Sequence, residues 1–489
     1  MRLSDMQLYS LEDIIKDAKK NYNISVNPHK IHLKAANKII DTINNGNINI
    51  TIGPPGSGKT TTIALTLSNI YDELDEAEVV IYATTHNKLV LEASKKTIGR
   101  LIDKVGSDEI KKTVLVSGSH FVPMEPSENT KLIFTTFHQP TIVEKVLSMK
   151  DRVHVITDEA STAKNSQTFL PTSYALNDIF LGGNIDLRLI SSLSLIGDPM
   201  QALLISRYRV KPMIFEIING MIKSPQDKKR IEEEPDAIFE IIEQYLPKSD
   251  FSYSFLEKTF RLPSPTETLI SIPFYRSKLT AFRSIKDVKI NTIGGSLKWL
   301  INKTKLLGNI RDVLDYALDS KIPVVYLKDL NLTPYRDDNL RTYDDKRATY
   351  AAEITAYLSK ATTGENIMII VPYREMVAQI LPKLNKIGVD KRRVEVSTAH
   401  SALGTDADIV IAVLGKEYKV IGIGDTIYYN IPQALNVQLS RHKKMLIVIG
   451  NLDVVAKTAS KLKGYKFLAK VQYAIERLKE VGSIVIKEV

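Results

Sequence analysis

Short runs rich in valine and isoleucine recur along the chain, with amphipathic stretches between them. Ile48 to Ile52, Val79 to Tyr82, Lys131 to Phe134, Val153 to Thr157 and Leu193 to Ile196 form a first set. After a break come Pro323 to Leu327, Ile367 to Val371, Val394 to Ser397, Ile409 to Leu414 and Leu446 to Ile449. Runs this short and this apolar, alternating with helical patterns, predict strands of a parallel sheet buried on both faces. Two sets predict two sheets. Two helices, Leu11 to Tyr22 and Pro28 to Asn44, are expected ahead of the first strand.

Between the sets, Pro225 to Leu246 is charged and helical in character, with Asp227-Lys228-Lys229-Arg230 running into Glu232-Glu233-Glu234. A solvated helix face accounts for such a run. The expected division is therefore a helical segment over 1–45, an α/β domain over 46–250 and a second over 251–489. No internal repeat of solenoid length and no low-complexity tract interrupts it.

The chain has 489 residues, 44% hydrophobic and 25% charged, which is ample for globular cores. It contains no cysteine. That excludes disulfides, thiolate zinc sites and cysteine nucleophiles together, and fits an intracellular, cytoplasmic setting. Lys and Arg number 66 against 56 Asp and Glu, a net charge of +10 that favours polyanionic partners. No stretch of about 18 apolar residues occurs, and the N-terminus has no signal-peptide core, so no association with a membrane is expected.

Gly53-Pro54-Pro55-Gly56-Ser57-Gly58-Lys59-Thr60 satisfies the phosphate-loop pattern, and Thr61 follows in a helix-like stretch after the apolar Asn49 to Ile52. Glycines let backbone N–H groups close around phosphate oxygens, and the helix N-terminus adds its dipole. Lys59 is expected on the β- and γ-phosphates of ATP, and Thr60 on magnesium. About a hundred residues on, the strand Val153 to Thr157 ends in Asp158-Glu159. Asp158 is expected in the outer sphere of magnesium and Glu159 as the base that polarises water. A third strand ends in Gly197-Asp198-Pro199-Met200-Gln201.

In this order the motifs resemble those of superfamily 1 helicases, and within them the superfamily 1B branch that contains the nonsense-mediated-decay RNA helicase. The resemblance implies two RecA-like domains in tandem and an ATP hydrolase that moves on single-stranded RNA or DNA as a monomer, 5′ to 3′. It makes Gln201 the γ-phosphate sensor. Thr259-Phe260-Arg261-Leu262-Pro263 and Phe274 to Leu279 are similar to the branch's aromatic-arginine block; Arg261 then becomes an arginine finger and Phe260 a lid on adenine. Asn436 to Lys444 resembles the sixth motif, which makes Arg441 the second finger. Strand-end loops similar to the family's nucleic-acid contacts are Ala83 to Asn87 with Thr84 and Thr85, and Phe134 to His138 with Thr136. To these the resemblance adds Pro372 and Tyr373 in Ile369 to Arg374, and Thr398 and His400 in Val394 to Asp408.

The chain departs from the family in places. Leu403-Gly404 stands where Gln-Gly is usual, and Asp406 takes a glutamate position, a shortened ribose contact. No glutamine lies between Gln7 and Gly53, so His32 is the nearest stand-in above adenine. With no cysteine, the His29 and His32 pair reads as helix surface rather than structural zinc. Residues 95–130 and 280–320 are left as insertions. Strand unwinding, nucleoprotein remodelling with little unwinding and a slow P-loop switch are the alternative activities.

Overall fold

The computed structural model describes residues 8–21, 28–137, 139–161, 190–201, 214, 222–245, 251–292, 308–329, 335–336, 342–390, 392–415, 432–459 and 465–489. His138, Tyr22, Leu246 and residues 293–307 of the expected insertion lie outside them. The chain forms two compact units, one from Met1–Lys228 with Phe239–Glu257, the other from Lys229–Ile238 with Lys258–Val489.

In unit 1 the elements run α1 (Leu11–Asn21), α2 (Lys30–Asn45), β1 (Ile48–Ile52), α3 (Lys59–Ile70), β2 (Glu78–Thr84), α4 (Asn87–Val105), α5 (Ser107–Thr113) and β3 (Val114–Val116). They continue as β4 (Leu132–Thr136), α6 (Pro140–Leu147), β5 (Arg152–Thr157) and β6 (Ser192–Gly197). Helix α7 (Pro225–Glu233) begins in unit 1 and ends in unit 2, after which α8 (Ile238–Tyr245) and β7 (Phe251–Phe255) belong to unit 1 but for Ile238. The seven strands pair in the order β3-β4-β2-β5-β6-β1-β7, every pair parallel. Strands β1, β2 and β4 are buried along their whole length, which is why both their faces read apolar or small. One core sets Ile14 of α1, Ile39 of α2, Leu67 of α3 and Val90 of α4 against Val80 of β2 and Ile196 of β6.

Unit 2 comprises β8 (Lys258–Ser264), α9 (Thr268–Tyr275), β9 (Thr280–Ser284), α10 (Gly308–Asp319), β10 (Val324–Lys328), β11 (Tyr335–Arg336), β12 (Thr342–Tyr343) and α11 (Asp345–Ala361). Then come β13 (Ile367–Val371), α12 (Arg374–Ile387), β14 (Val394–Thr398), β15 (Ala407–Val413), α13 (Pro432–Leu439), β16 (His442–Gly450), α14 (Leu452–Ala459), α15 (Tyr465–Glu480) and β17 (Ile484–Glu488). Its main sheet has the order β14-β13-β15-β16-β10-β17, again parallel throughout. The segment 229–238 is fastened to this unit by charge: Arg276 Nε lies 2.9 Å from Asp236, Lys470 Nζ 2.5 Å from the same carboxylate, and Lys466 pairs with Glu234.

The two sheets repeat one wiring. In chain order, β1, β2, β4, β5, β6 and β7 occupy the same relative places as β10, β13, β14, β15, β16 and β17. The repeat extends to single bonds. Gly53 N–H donates to Gly197 O just past β1, at 2.9 Å, and Asp329 N–H donates to Gly450 O just past β10, at 3.2 Å. In each sheet the first strand's connection leaves in one direction and its neighbour's in the other, which opens a crevice at the carboxyl ends. In unit 2 that position is filled by Arg347, 1% exposed, whose guanidinium lies 3.1 Å from Asp329 and donates to Leu414 O at 3.0 Å. Asp344 is 3.5 Å away and caps α11.

Removing one side of a buried ion pair leaves its partner's charge uncompensated. Arg347→Met is therefore expected to cost about 3–5 kcal/mol, measured by denaturant unfolding. A change within error of zero would show the pair to be energetically idle. A second measurement concerns His442, which is fully buried at the start of β16 with Nε2 2.9 Å from Thr266 Oγ1. Burial, helped by Arg261 and Arg283, depresses it to about 3 from an ordinary 6.5. Its contribution is then complete above about pH 6.5 and is lost as pH falls toward 3, because the unfolded chain takes up the proton first. Over that window stability should fall by up to about 1.4 kcal/mol per pH unit from this group, and His442→Gln should flatten the slope.

Candidate nucleotide site

The loop from Gly53 to Gly58 leaves the buried strand β1 and turns directly into α3, whose first residue is Lys59. Two glycines are demanded by space. Gly58 has φ +87, and a Cβ there would collide with the His32 ring; a Cβ on Gly53 would collide with Lys59 Cγ. Lys59 Nζ donates to Gly53 O at 3.0 Å, so the loop closes on its own lysine. Ser57 Oγ is buried without a hydrogen-bond partner. With the first-turn N–H groups of α3, which have no intrahelical acceptor, the loop is a cradle of donors.

Asp158 and Glu159 follow β5. Asp158 is 1% exposed, its Oδ2 accepts from Tyr82 Oη at 2.9 Å, and its Oδ1 accepts from Glu159 N–H at 2.8 Å. Burial, reinforced by Glu159 and opposed by Lys59, raises Asp158 to about 7. Burial and the same carboxylate push the Tyr82 phenol well up. Glu159 has φ +54, a conformation uncommon outside glycine, and its Oε1 lies 3.9 Å from Lys59 Nζ. Ala160 N–H donates to Ile196 O at 2.9 Å, and Asp198 N–H to Ser161 Oγ at 3.1 Å. Asp198 in turn accepts from Met200 N–H and from the Gln201 side chain. Loop, acid pair and Gly-Asp-Pro turn are thus joined by hydrogen bonds at the carboxyl ends of three adjacent strands, β5, β6 and β1.

Thr60 and Thr61 are half-buried in the first turn of α3. The donors gathered here, a hydroxyl at Thr60 and the Asp158 carboxylate, are hard oxygens that suit magnesium rather than a soft metal. Among the described residues no group of three or more His, Asp or Glu could hold a metal unaided. His32 packs under the phosphate loop. It is 5% exposed, and its Nε2–H donates to Ser57 O at 2.8 Å, so the ring supports the loop's backbone. His29 Nδ1 accepts from Ile31 N–H as the cap of α2, so each ring of the pair has its own role.

In unit 2 the family-derived residues also converge. Arg261 Nε lies 3.2 Å from Asp406 and its Nη1 3.3 Å from Ser440 O, while Lys443 Nζ sits 2.6 Å from Asp406. Burial would raise Asp406, but Arg261 and Lys443 outweigh it and hold the carboxyl below its usual range. Arg441 is buried beside them in sequence, its carbonyl accepting from Ala407 N–H at 3.0 Å. Phe260 stacks at 4.8 Å on Phe282, which sequence reading left inside an insertion. For the strand-end loops, register places Thr84 opposite Thr136 and Val371 opposite Thr398. Thr84 and Thr136 are buried, Thr85 and Thr398 half-buried and His400 exposed. Pro372 and Tyr373 are buried, the tyrosine as part of the unit 2 core. Tyr82 was not singled out from sequence as part of the site.

A family profile described as an AAA domain matches residues 237–453. DNA polymerase alpha-associated DNA helicase A of Saccharomyces cerevisiae is 23% identical over 259 residues, 49% of this chain and 33% of that protein. ATP-dependent helicase upf1 of Schizosaccharomyces pombe is 32% identical over 110 residues, 22% of this chain and 12% of that protein. The chain thus spans a third or less of the curated relatives it matches. Among solved structures, a Saccharomyces cerevisiae Dbp5 variant bound to RNA and ADP BeF3 is similar at TM-score 0.44 and 13% identity, covering 100% of this chain and 95% of that one. The chain thus carries a match to an AAA domain over residues 237–453 and is similar in part to the helicases named, while its phosphate loop, acid pair and Gly-Asp-Pro turn lie N-terminal to that match.

Proposed function

We propose that the chain is an ATP-dependent helicase or translocase that steps along a single strand of nucleic acid, 5′ to 3′, as a monomer in the cytoplasm. The observation that carries this reading is the bond from Gly53 N–H to Gly197 O. It ties the phosphate loop to the turn bearing Gln201, so a change at the γ-phosphate is felt where the family passes it to the nucleic-acid path. In this reading Lys59 holds the β- and γ-phosphates, and Thr60 and Asp158 hold magnesium, Asp158 through water. Magnesium would neutralise charge on the phosphates. Glu159, 3.9 Å from the lysine, orients the attacking water.

Arg261 and Arg441 are the proposed fingers, with Phe260 on the base and Asp406 on the ribose. Thr84, Thr85, Thr136, Pro372, Thr398 and His400 are proposed for the strand, with Tyr373 acting through its backbone because its ring is buried. The net charge of +10 and sequence-blind strand-end loops support a phosphate-directed grip. No helix among the described residues is long and apolar enough to cross a membrane.

Lys59→Ala should lower ATP hydrolysis by at least about a hundredfold. Glu159→Gln should bind ATP normally while turnover stops; normal turnover would remove Glu159 from the base role. Gly58→Ala, which forces a side chain into the His32 ring at a positive φ, should abolish nucleotide binding measured by fluorescent ATP titration. Hydrolysis should rise on adding poly-U or oligo-dT, and matched RNA and DNA oligomers in that assay decide the preferred strand. An ATPase indifferent to both would sink the motor reading.

A further inference from the structure

Strand β2 is aliphatic along its buried middle, Val79-Val80-Ile81, and then places a tyrosine at position 82. The ring is fully buried and packs against Phe134 of β4 at 5.8 Å. Phenylalanine would fill that space equally well. A buried hydroxyl costs free energy unless it is bonded, so its presence calls for a partner. The partner is Asp158: Tyr82 stands opposite Ile156 in the β2–β5 register, two residues before the aspartate, and its Oη donates to Oδ2 at 2.9 Å.

The aspartate is held on three sides. Its backbone N–H donates to Ala83 O at 2.8 Å, Oδ1 accepts from Glu159 N–H at 2.8 Å, and Oδ2 accepts from Tyr82. A carboxylate offers about four lone-pair sites, and here one on each oxygen is already used. What remains suits acceptance from a metal-bound water better than direct bidentate ligation. We propose that Tyr82 is a positioning residue for the metal step, fixing the Asp158 carboxylate as an outer-sphere acceptor for the water of a magnesium–nucleotide. This rests on the nucleotide-site reading above, and the hydroxyl that touches Asp158 comes from β2 rather than from any of the motifs.

The test is Tyr82→Phe, which removes one oxygen and keeps the ring. Loss of an outer hydrogen bond to a metal-site group typically weakens metal affinity about 10- to 100-fold. Manganese titrated calorimetrically into the protein bound to a non-hydrolysable ATP analogue should therefore bind at least about tenfold more weakly. Half-saturating magnesium for hydrolysis should rise by a similar factor, while kcat at saturating magnesium falls by a much smaller one. In an Asp158→Asn background, Tyr82→Phe should add nothing to either metal readout. Unchanged manganese binding and magnesium dependence in Tyr82→Phe would overturn the assignment. So would equal loss of nucleotide binding in EDTA, which would mark the hydroxyl as mere support for the pocket. A wild-type chain that binds no metal–nucleotide would overturn the site reading itself, and this inference with it.

Discussion

One hydrogen bond at the end of the first sheet organises unit 1: Gly53 N–H to Gly197 O. It is the last rung of the β1–β6 ladder, so the first peptide of the phosphate loop and the last peptide of β6 move together. Ala160 N–H on Ile196 O adds the acid-pair loop to the same strand end. Three loops that are far apart in sequence are thereby set by one strand, and their geometry cannot be altered singly.

Strand order explains why the acid pair faces the loop without crowding it. β5, which carries Asp158 and Glu159, is separated from β1 by β6. With strands about 4.8 Å apart, that leaves roughly 10 Å between the two strand ends, room for a phosphate and a hydrated cation. Glu159 bridges part of the gap toward Lys59 by adopting a positive φ that an unconstrained glutamate avoids.

Much of this was legible in the residues. The Val and Ile runs marked ten strands because most of them are buried on both faces and so must be apolar, the edge strand β14 being the exception, and the loop and acid pair declared themselves by spacing. β7 did not, because Phe-Ser-Tyr-Ser-Phe at a sheet edge alternates and lacks that uniform signature. The bond from Tyr82 to Asp158 spans 76 residues and was invisible for another reason: nothing local marks which buried tyrosine will find a carboxylate. His32 was noticed, but for a ligand; its proximity to Gly58 turns on how α2 packs against α3, which periodicity cannot supply. The segment 229–238 read as a solvated charge run. Its carboxylates Glu234 and Asp236 are held by Arg276, Lys466 and Lys470, partners some 40 and 230 residues away.

The duplicated wiring of the two sheets lends meaning to Arg347. On the proposed reading, unit 1 leaves its crevice to the phosphates of a nucleotide, so its state follows concentration and reverses when they depart. Unit 2 has a carboxylate tethered to its own backbone at the corresponding place, Asp329 against Arg347. A tethered counter-ion has an effective molarity no free solute reaches. On that reading the chain, although built from two copies of one architecture, has one crevice that answers to nucleotide and one closed by its own side chains.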